Sequence, residues 1–363
     1  MRALLLALFV VCISGCVAPS EPEPPETRVT APIIKGHECE AGGEAGPTLL
    51  VILQATSRDS ETSAVLQGIC TASLVAPDTI VSAAHCFDTS DLDRAGLADI
   101  HFFVSRASRA SALSALPADA IEVRAKVHPD FDCNSTPVFG TLGNFHDVAV
   151  GFLKRPILDL APAILPTRRE TAAIVQGASV TIAGWGATDP VATMTSTGVL
   201  HCAAATIAAV GDAEMVIGPN ADSARKCHGD SGGPTFLTLP TATSVRKDRL
   251  IGVTSRGYRA SDCAEMGGVD TRVDVFRDWV DAQMRQGCDD GSRVWCDVRG
   301  VVPPSFYGGP VEPEEQLETQ GGCGVGRERG DGLIGAIACT LLALRRSRAT
   351  RVVDGPRRAG LLA

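Results

Sequence analysis

Short apolar and β-branched runs, separated by Gly, Pro, Asp and Asn, fill the chain from about residue 33 to residue 286. Examples are the runs 48–53, 80–83, 147–153, 178–183 and 250–254. Each run is too short for an ordinary helix, and such runs are typical of an all-β barrel or sandwich. Residues 273–284 differ, because their apolar residues recur at helical spacing. The sequence therefore predicts many short strands followed by one C-terminal helix.

The N-terminal residues predict export. Met1 and Arg2 precede an apolar run that ends in small residues, so residues 1–16 are predicted to be a secretory signal. Cys16 follows Ile-Ser-Gly, which resembles the lipobox of bacterial lipoproteins; the alternative is an ordinary signal that ends in a chance cysteine. Residues 17–32 are rich in Pro and Glu and are predicted to be a propeptide or linker.

The C-terminal residues predict a destination at the cell surface. Residues 287–322 are predicted to be a Pro-, Gly- and Glu-rich linker, and residues 349–363 a tail. Between them, in residues 323–348, Cys323 precedes an apolar run and an Arg cluster, an order that resembles the C-terminal sorting signals of the myxobacterial type. The alternative is a weak membrane anchor or a disordered tail, because the run is shorter than a membrane span. We expect an extracellular or cell-envelope location, with membrane contact only through a lipid or sorting anchor.

Charge and cysteine content limit the classes of partner. The net charge is −9, and the predicted core lacks a clustered basic surface, so no nucleic-acid partner is expected. Thirteen cysteines in an exported chain predict disulfides. Because no Cys-x-x-Cys or His-x-x-x-His pair is present, we predict neither a zinc site nor a required cofactor.

Three segments contain the residues needed for acyl transfer. His85 ends the segment Val-Ser-Ala-Ala-His, Asp147 begins an apolar strand, and Ser231 lies in Gly-Asp-Ser-Gly-Gly-Pro. Acyl transfer needs a nucleophile, a base, a carboxylate that orients the base, and donors for the oxyanion. Ser231, His85 and Asp147 fit the first three roles. The glycines near Ser231 permit a tight turn that aims the amides of Gly229 and Ser231 at one oxygen.

These segments, in the order His, Asp, Ser, closely resemble those of trypsin-like serine proteases of the chymotrypsin class. The resemblance covers residues 33–286 and implies two six-stranded antiparallel β-barrels with a C-terminal helix. It also implies a serine endopeptidase that cleaves protein or peptide substrates through an acyl-enzyme. Three disulfides are implied: Cys39–Cys202, Cys70–Cys86 and Cys227–Cys263. Cys288 and Cys296 are close enough to pair locally, whereas Cys133 lacks an obvious partner and is interpreted as an unresolved thiol.

The resemblance also implies a zymogen. In the family, a freed N-terminal ammonium pairs with the Asp that precedes the nucleophile and orders the oxyanion hole. Ile33 and Asp230 stand at the matching positions, so an activating protease is an expected partner. Pro32, however, is not a residue after which a trypsin-like activator cuts. Either another protease trims the segment, or activation proceeds differently.

The predicted specificity pocket departs from that of trypsin. Arg225 stands where trypsin has the Asp that selects Lys or Arg side chains. Gly257 and Gly268 would leave the pocket mouth open, and Asp270 is expected near the floor. Three possibilities follow: Arg225 pairs with Asp270 and the pocket prefers a neutral side chain, Arg225 stays free and attracts an acidic one, or Arg225 turns to solvent.

Ser255 and Gly257 match the segment that pairs with the substrate backbone in the family. Arg256, between them, replaces a residue that is commonly Trp, so it is expected to widen or charge the neighbouring subsite. These departures leave two alternatives from other functional classes. One is a catalytically silent protease-like binding protein, and the other is a displayed adhesin or inhibitor-binding protein.

Overall fold

The computed structural model describes residues 32–57, 65–90, 92, 97–109, 116–135, 138–187, 198–240, 242, 246–258, 263 and 267–296. The predicted signal, most of the propeptide, and the sorting segment with its flanking tail lie outside the described residues. Among the residues described, no helix is both long enough and apolar enough to cross a membrane.

Six antiparallel strands close the first barrel in the order β2-β3-β4-β7-β6-β5. They are β2 (Thr48–Ser57), β3 (Val65–Ala76), β4 (Thr79–Ser82), β5 (Leu97–Ser105), β6 (Ile121–Val127) and β7 (Ala149–Leu153). Alternate residues of β2 serve two cores, as the two-residue period of a strand requires. Leu49 and Val51 pack inside this barrel, whereas Leu50 and Ile52 pack with Trp185 outside it.

Six further antiparallel strands form the second barrel. They are β8 (Ser179–Gly184), β9 (His201–Val210), β10 (Glu214–Ile217), β11 (Pro234–Thr238), β12 (Asp248–Gly257) and β13 (Gly268–Arg272). Their order is β9-β10-β13-β12-β11-β8, and the pairing of β8 with β9 closes the barrel. A two-residue strand, β1 (His37–Glu38), pairs with β9 beside it. The predicted fold of two six-stranded barrels is therefore confirmed.

A C-terminal helix, α1 (Val273–Asp289), packs across both barrels. Its buried residues Phe276, Val280 and Met284 share one apolar cluster with Phe152 of the first barrel and Leu250 of the second. The predicted helix is thus confirmed, and it continues to Asp289, beyond the expected domain end at residue 286. Burial of this apolar stripe accounts for the position of the helix better than helix propensity does, since packing supplies most helix stability in proteins.

Four disulfides join described residues. Three of them, Cys39–Cys202, Cys70–Cys86 and Cys227–Cys263, are the pairs that the resemblance implies, and the fourth is the local pair Cys288–Cys296. Cys133 is also disulfide-bonded, so its interpretation as an unresolved thiol is wrong. Sequence spacing offered no partner for Cys133, because pairing depends on distance in the folded chain.

The segment after the helix is anchored on the first barrel. The Arg293 guanidinium and the Asp78 carboxylate form an ion pair at 2.8 Å, and both side chains are fully buried. Asp78 also accepts hydrogen bonds from the backbone amides of Val294 and Trp295 at 2.9 and 2.7 Å. Residues 287–296, expected to begin a flexible linker, therefore pack against the barrel through these contacts.

Candidate active site

His85 lies in a 3₁₀ turn, Ala84–Cys86, that directly follows strand β4. The disulfide Cys70–Cys86 holds this turn to strand β3. Two hydrogen bonds orient the residue: its backbone N–H donates to Asp147 Oδ1 at 3.0 Å, and its ring Nδ1 lies 2.8 Å from Asp147 Oδ2. The ring is thus fixed through Nδ1, which leaves Nε2 available for proton transfer.

Asp147 lies two residues before the start of strand β7 and is buried between the barrels. Ser255 of the second barrel donates its hydroxyl to Asp147 Oδ2 at 2.6 Å, and Thr271 donates to the Asp147 carbonyl at 3.0 Å. Burial by itself raises the pKa of the Asp147 carboxyl, but the His85 charge and the hydrogen bonds from His85 and Ser255 outweigh it and hold the pKa below its usual value. The carboxylate therefore remains ionised and can stabilise a protonated His85.

Ser231 lies in a tight turn that packs against the strand leading to His85. Gly232, the next residue, has φ +75°, and a Cβ there would lie 1.9 Å from Ser82 Oγ and 2.9 Å from the Ala83 amide nitrogen. Only glycine permits so close an approach. The Thr71 amide also donates to the Ser231 carbonyl at 2.7 Å. Ser231 is therefore fixed beside the segment that ends at His85.

Within the described parts of the chain, no hydrogen bond joins Ser231 Oγ to His85 Nε2. Such bonds are often long without substrate and tighten when the substrate binds. The amides of Gly229 and Ser231, proposed as oxyanion donors, form no hydrogen bond to any described residue. Gly229 has φ +94°, a conformation that glycine adopts at little cost. Both N–H groups thus remain available to a developing oxyanion.

Asp230 is fully buried behind Ser231. Its carboxylate accepts hydrogen bonds at 2.8 Å from the backbone amides of Gly186 and Cys227. Burial raises the pKa of Asp230 to about 6, against the lowering effect of these amides and the Lys226 charge. No hydrogen bond between the described atoms joins Asp230 to Ile33, which is fully buried in the second barrel and has φ +32°. The proposed activation partners are therefore not bonded in the uncut chain.

The pocket region contains a buried ion pair that sequence reasoning missed. Lys226 Nζ lies 2.8 Å from Asp270 Oδ2, and both side chains are fully buried. Lys226 also donates to Thr235 Oγ1 at 2.8 Å. Desolvation lowers the pKa of Lys226, although the Asp270 charge opposes this. Asp270 therefore pairs with Lys226, which corrects the suggested pairing with Arg225.

Arg225 is buried, with only 3% of its surface exposed. Its guanidinium donates to the carbonyl of Cys263 and, at 2.7 Å, to that of Ala221. The possibility that Arg225 turns to solvent is therefore wrong. Both residues are buried, and Lys226 was overlooked because two adjacent basic residues give no sequence signal of which one reaches the carboxylate.

Ser255, Arg256 and Gly257 end strand β12, and the carbonyl of the preceding Thr254 accepts a hydrogen bond from the Gly232 amide at 2.8 Å. The Arg256 guanidinium binds the carboxylate of buried Glu214 through two hydrogen bonds of 2.6 and 2.8 Å. Gly257 pairs with Gly268 across the ladder, which places both predicted pocket-mouth glycines side by side. The sequence analysis also missed Glu214, because its partner Arg256 is 42 positions away in the sequence. The expected charge of Arg256 is thus neutralised within the protein.

One group of residues has metal-ligand chemistry: Cys70, His85 and Cys86 lie close together. The two sulfur atoms form a disulfide with each other, and only a thiolate is an effective metal ligand. This group therefore does not fit a metal. A surface cavity of about 250 Å³, lined by residues such as Arg106, Asp119 and Arg155, contains none of the predicted site residues. The candidate active site is consequently defined by its side chains and not by this cavity.

Comparison with known proteins matches residues 33–280 to the family described as Trypsin. Human serine protease 56 is 29% identical over 73% of this chain and 42% of its own length, and the mouse protein is 31% identical over 60% of this chain and 35% of its own length. Mouse kallikrein-11 is 26% identical over 78% of this chain and 89% of its own length. The chain thus spans less than half of serine protease 56 but most of kallikrein-11.

Proposed function

Because the chain belongs to the trypsin family of serine proteases, we propose that it is an exported serine endopeptidase with His85, Asp147 and Ser231 as its catalytic triad. One observation carries the proposal: His85 is oriented by buried Asp147, which Ser255 also binds, while the Ser231 turn packs against the strand before His85. Family membership supports peptidase activity, and the geometry supports the assignment of these residues to their roles.

The proposed reaction has two steps. Ser231 Oγ attacks the substrate carbonyl while His85 Nε2 takes the hydroxyl proton, and Asp147 stabilises the resulting imidazolium. The amides of Gly229 and Ser231 bind the oxyanion. His85 then gives its proton to the leaving amine, which departs and leaves an acyl-enzyme. A water molecule, deprotonated by His85, hydrolyses the ester and regenerates Ser231.

A zymogen is part of the proposal. Cleavage before Ile33 would create an ammonium that can pair with Asp230, whose carboxylate is buried and costly to ionise in the uncut chain. The activating protease must accept Pro32 at the cut, or a first protease must trim the segment that precedes it.

We also propose that the substrate specificity of this protein differs from that of trypsin. A Lys or Arg side chain of a substrate needs an unpaired carboxylate in the pocket. The only acidic residue predicted to line it, Asp270, is bound to Lys226, and Arg225 stands at the base. We therefore expect poor cleavage after Lys and Arg.

The proposed location is extracellular or at the cell-envelope surface. The four disulfides between described residues support an oxidising compartment. Lipidation of Cys16 and processing of residues 323–348 lie outside the described residues and remain predictions from the sequence.

A fluorophosphonate probe tests the proposed function. We expect it to label Ser231 in the exported, processed protein, and N-terminal sequencing of the labelled chain should begin at Ile33. Ser231→Ala should abolish labelling and peptide cleavage, whereas Ser179→Ala, at an exposed serine, should leave both unchanged. Absence of label on a folded chain that begins at Ile33 would contradict the proposal and favour the silent binding protein.

A further inference from the structure

Residues 226–233, here called the nucleophile loop, contain Ser231 and both amides proposed as oxyanion donors. One side chain joins the two ends of this loop, because Lys226 Nζ donates a hydrogen bond to the Gly233 carbonyl at 3.2 Å. The Gly233 amide donates in turn to the Asp230 carbonyl at 2.7 Å. The Lys226 ammonium therefore closes the nucleophile loop across its base.

The Lys226 ammonium has three acceptors inside the protein: the Gly233 carbonyl, Thr235 Oγ1 and Asp270 Oδ2. The distances to Thr235 Oγ1 and Asp270 Oδ2 are both 2.8 Å. Thr235 belongs to strand β11 and Asp270 to strand β13. Hydrogen bonds from a charged donor are stronger than those between neutral groups. Lys226 therefore fixes the nucleophile loop to two strands of the second barrel.

Other contacts of the nucleophile loop also form in the uncut chain. The Asp230 amide donates to the Cys227 carbonyl at 3.0 Å, and the Cys227 amide donates to Asp230 Oδ2 at 2.8 Å. The Gly232 amide donates to the Thr254 carbonyl at 2.8 Å. None of these hydrogen bonds uses a free amino terminus at Ile33. The loop is thus held at several points before any cut.

The charge of Lys226 also acts on Asp230, which is the residue that the freed ammonium would reach. It lowers the pKa of the Asp230 carboxyl, whereas burial raises this pKa. A buried carboxylate needs a positive partner to remain ionised. Lys226 therefore supplies part of the positive charge that the freed amino terminus would add.

We infer that Lys226 is a positioning residue that keeps the amides of Gly229 and Ser231 in place in the uncut chain. The zymogen proposed above is therefore partly active. This inference rests on the proposed function and concerns the regulation of the same site. Cleavage before Ile33 adds a second positive charge near Asp230 and increases an activity that is already present.

Rates of labelling by a fluorophosphonate probe test this inference on two preparations of the parent protein. One preparation retains the residues before Ile33, and the other begins at Ile33. The intact mass of the labelled chain shows whether the first preparation has stayed uncut. We expect the uncut chain to be labelled at Ser231 at a rate within about tenfold of that of the cut chain, because its oxyanion donors are already held.

The two preparations also separate this inference from the proposed function. A larger difference in rate, or no labelling of the uncut chain beside a labelled cut chain, would overturn the inference and leave the proposed function intact. Absence of labelling in both folded preparations would contradict the proposed function, and this inference with it.

The double variant Lys226→Met/Asp270→Asn removes the Lys226 contacts without leaving a buried charge unpaired. In the uncut chain it should reduce the limiting labelling rate by about a hundredfold, the usual effect of losing an oxyanion donor. The probe concentration that gives half of this rate should change less. In the cut chain, where the Ile33 ammonium also holds the loop, the limiting rate should fall by less than about tenfold. A general structural role of Lys226 would lower both rates alike, and that result would overturn the inference.

Lys154→Met is the matched control, because Lys154 forms an exposed ion pair with Glu122 in the first barrel. This substitution should leave both labelling rates unchanged. If the double variant does not fold, Lys226→Gln/Asp270→Asn, which keeps polar side chains without charge, replaces it in the same comparison. Unchanged labelling of a folded, uncut double variant would show that Lys226 does not hold the loop.

Discussion

At the scale of single residues, the buried charges near Ser231 have a direct effect on stability. Lys226, Asp270 and Asp230 are all buried, and an ion in a protein interior is tolerated only with a partner and hydrogen bonds. Lys226 supplies the positive charge for Asp270 directly, and it also influences Asp230. Removal of Lys226 would therefore leave a buried carboxylate without its cation.

Lys226→Met should lower the free energy of unfolding by about 3 to 5 kcal/mol, because Asp270 stays buried without its partner. Urea unfolding in the Ser231→Ala background measures this without self-digestion. The double change Lys226→Met/Asp270→Asn should recover much of the loss. Lys35→Met is the matched control, since Lys35 forms an exposed ion pair with Asp222, and exposed pairs contribute little. Equal effects of Lys226→Met and Lys35→Met would contradict the assignment.

At the scale of elements, the segment that follows helix α1 stabilises the first barrel. It contains the short disulfide loop Cys288–Cys296 and the buried pair Arg293–Asp78. The described residues of this segment add no strand to either sheet, so its contribution to the stability of the first barrel comes from a few buried polar contacts. Because Asp78 directly precedes strand β4, which leads to His85, these contacts also support the position of the turn that contains His85.

Arg293→Ala should lower the free energy of unfolding by about 3 to 5 kcal/mol, since the buried Asp78 carboxylate loses its cation. Thermal or urea unfolding of the inactive protein provides the measurement. Arg285→Ala, on the preceding helix α1, offers a matched control, because Arg285 forms an exposed pair with Asp281 four residues earlier. If the two alanine variants unfold alike, Arg293 does not anchor the segment.

At the scale of the whole molecule, the proposed active site requires both barrels. His85 and Asp147 belong to the first barrel, Ser231 belongs to the second, and Ser255 and Thr271 of the second barrel bind Asp147. The proposed activation step also joins residues that are far apart in the sequence, because the freed amino terminus at Ile33 must reach Asp230. We therefore expect the protonation state of the Asp230 carboxyl to differ between the uncut chain and the chain that begins at Ile33.

In the uncut chain, the Asp230 pKa of about 6 lies above the ordinary 3.8, so the folded form favours the protonated carboxyl. Its contribution to stability is fully present below about pH 4 and is lost as the pH rises through about 6. Asp230→Asn in the uncut Ser231→Ala protein should remove this loss. The unfolding free energy of the variant should therefore rise relative to that of the parent by about 2 kcal/mol between pH 4 and pH 7.

Urea unfolding at a series of pH values measures this shift. In the chain that begins at Ile33, the ammonium should lower the Asp230 pKa, so the same substitution should instead destabilise the protein at neutral pH. A difference that does not vary with pH in the uncut form would contradict the proposed state of Asp230.

The sequence by itself predicted the two-barrel fold, the C-terminal helix, three disulfides and the residues proposed as the triad. The helix and the proposed triad depend on local patterns, such as the glycines around Ser231 and the strand that leads to His85. The two-barrel fold and the three disulfides were implied by the resemblance to trypsin-like serine proteases that these segments carry. Composition did not locate the end of the packed chain, because residues 287–296 have the composition of a linker, yet Arg293 packs against the first barrel.

The tertiary structure alone decided which charged and polar groups meet. Lys226 binds Asp270 where Arg225 was the suggested partner. Glu214 binds both Arg256 and the Gly143 amide, and Tyr258 bonds with Gly140. Arg256 and Glu214 are 42 positions apart in the sequence, and Tyr258 and Gly140 are 118 positions apart. Adjacent residues such as Arg225 and Lys226 are chemically similar, and only the folded backbone determines which side chain reaches a carboxylate.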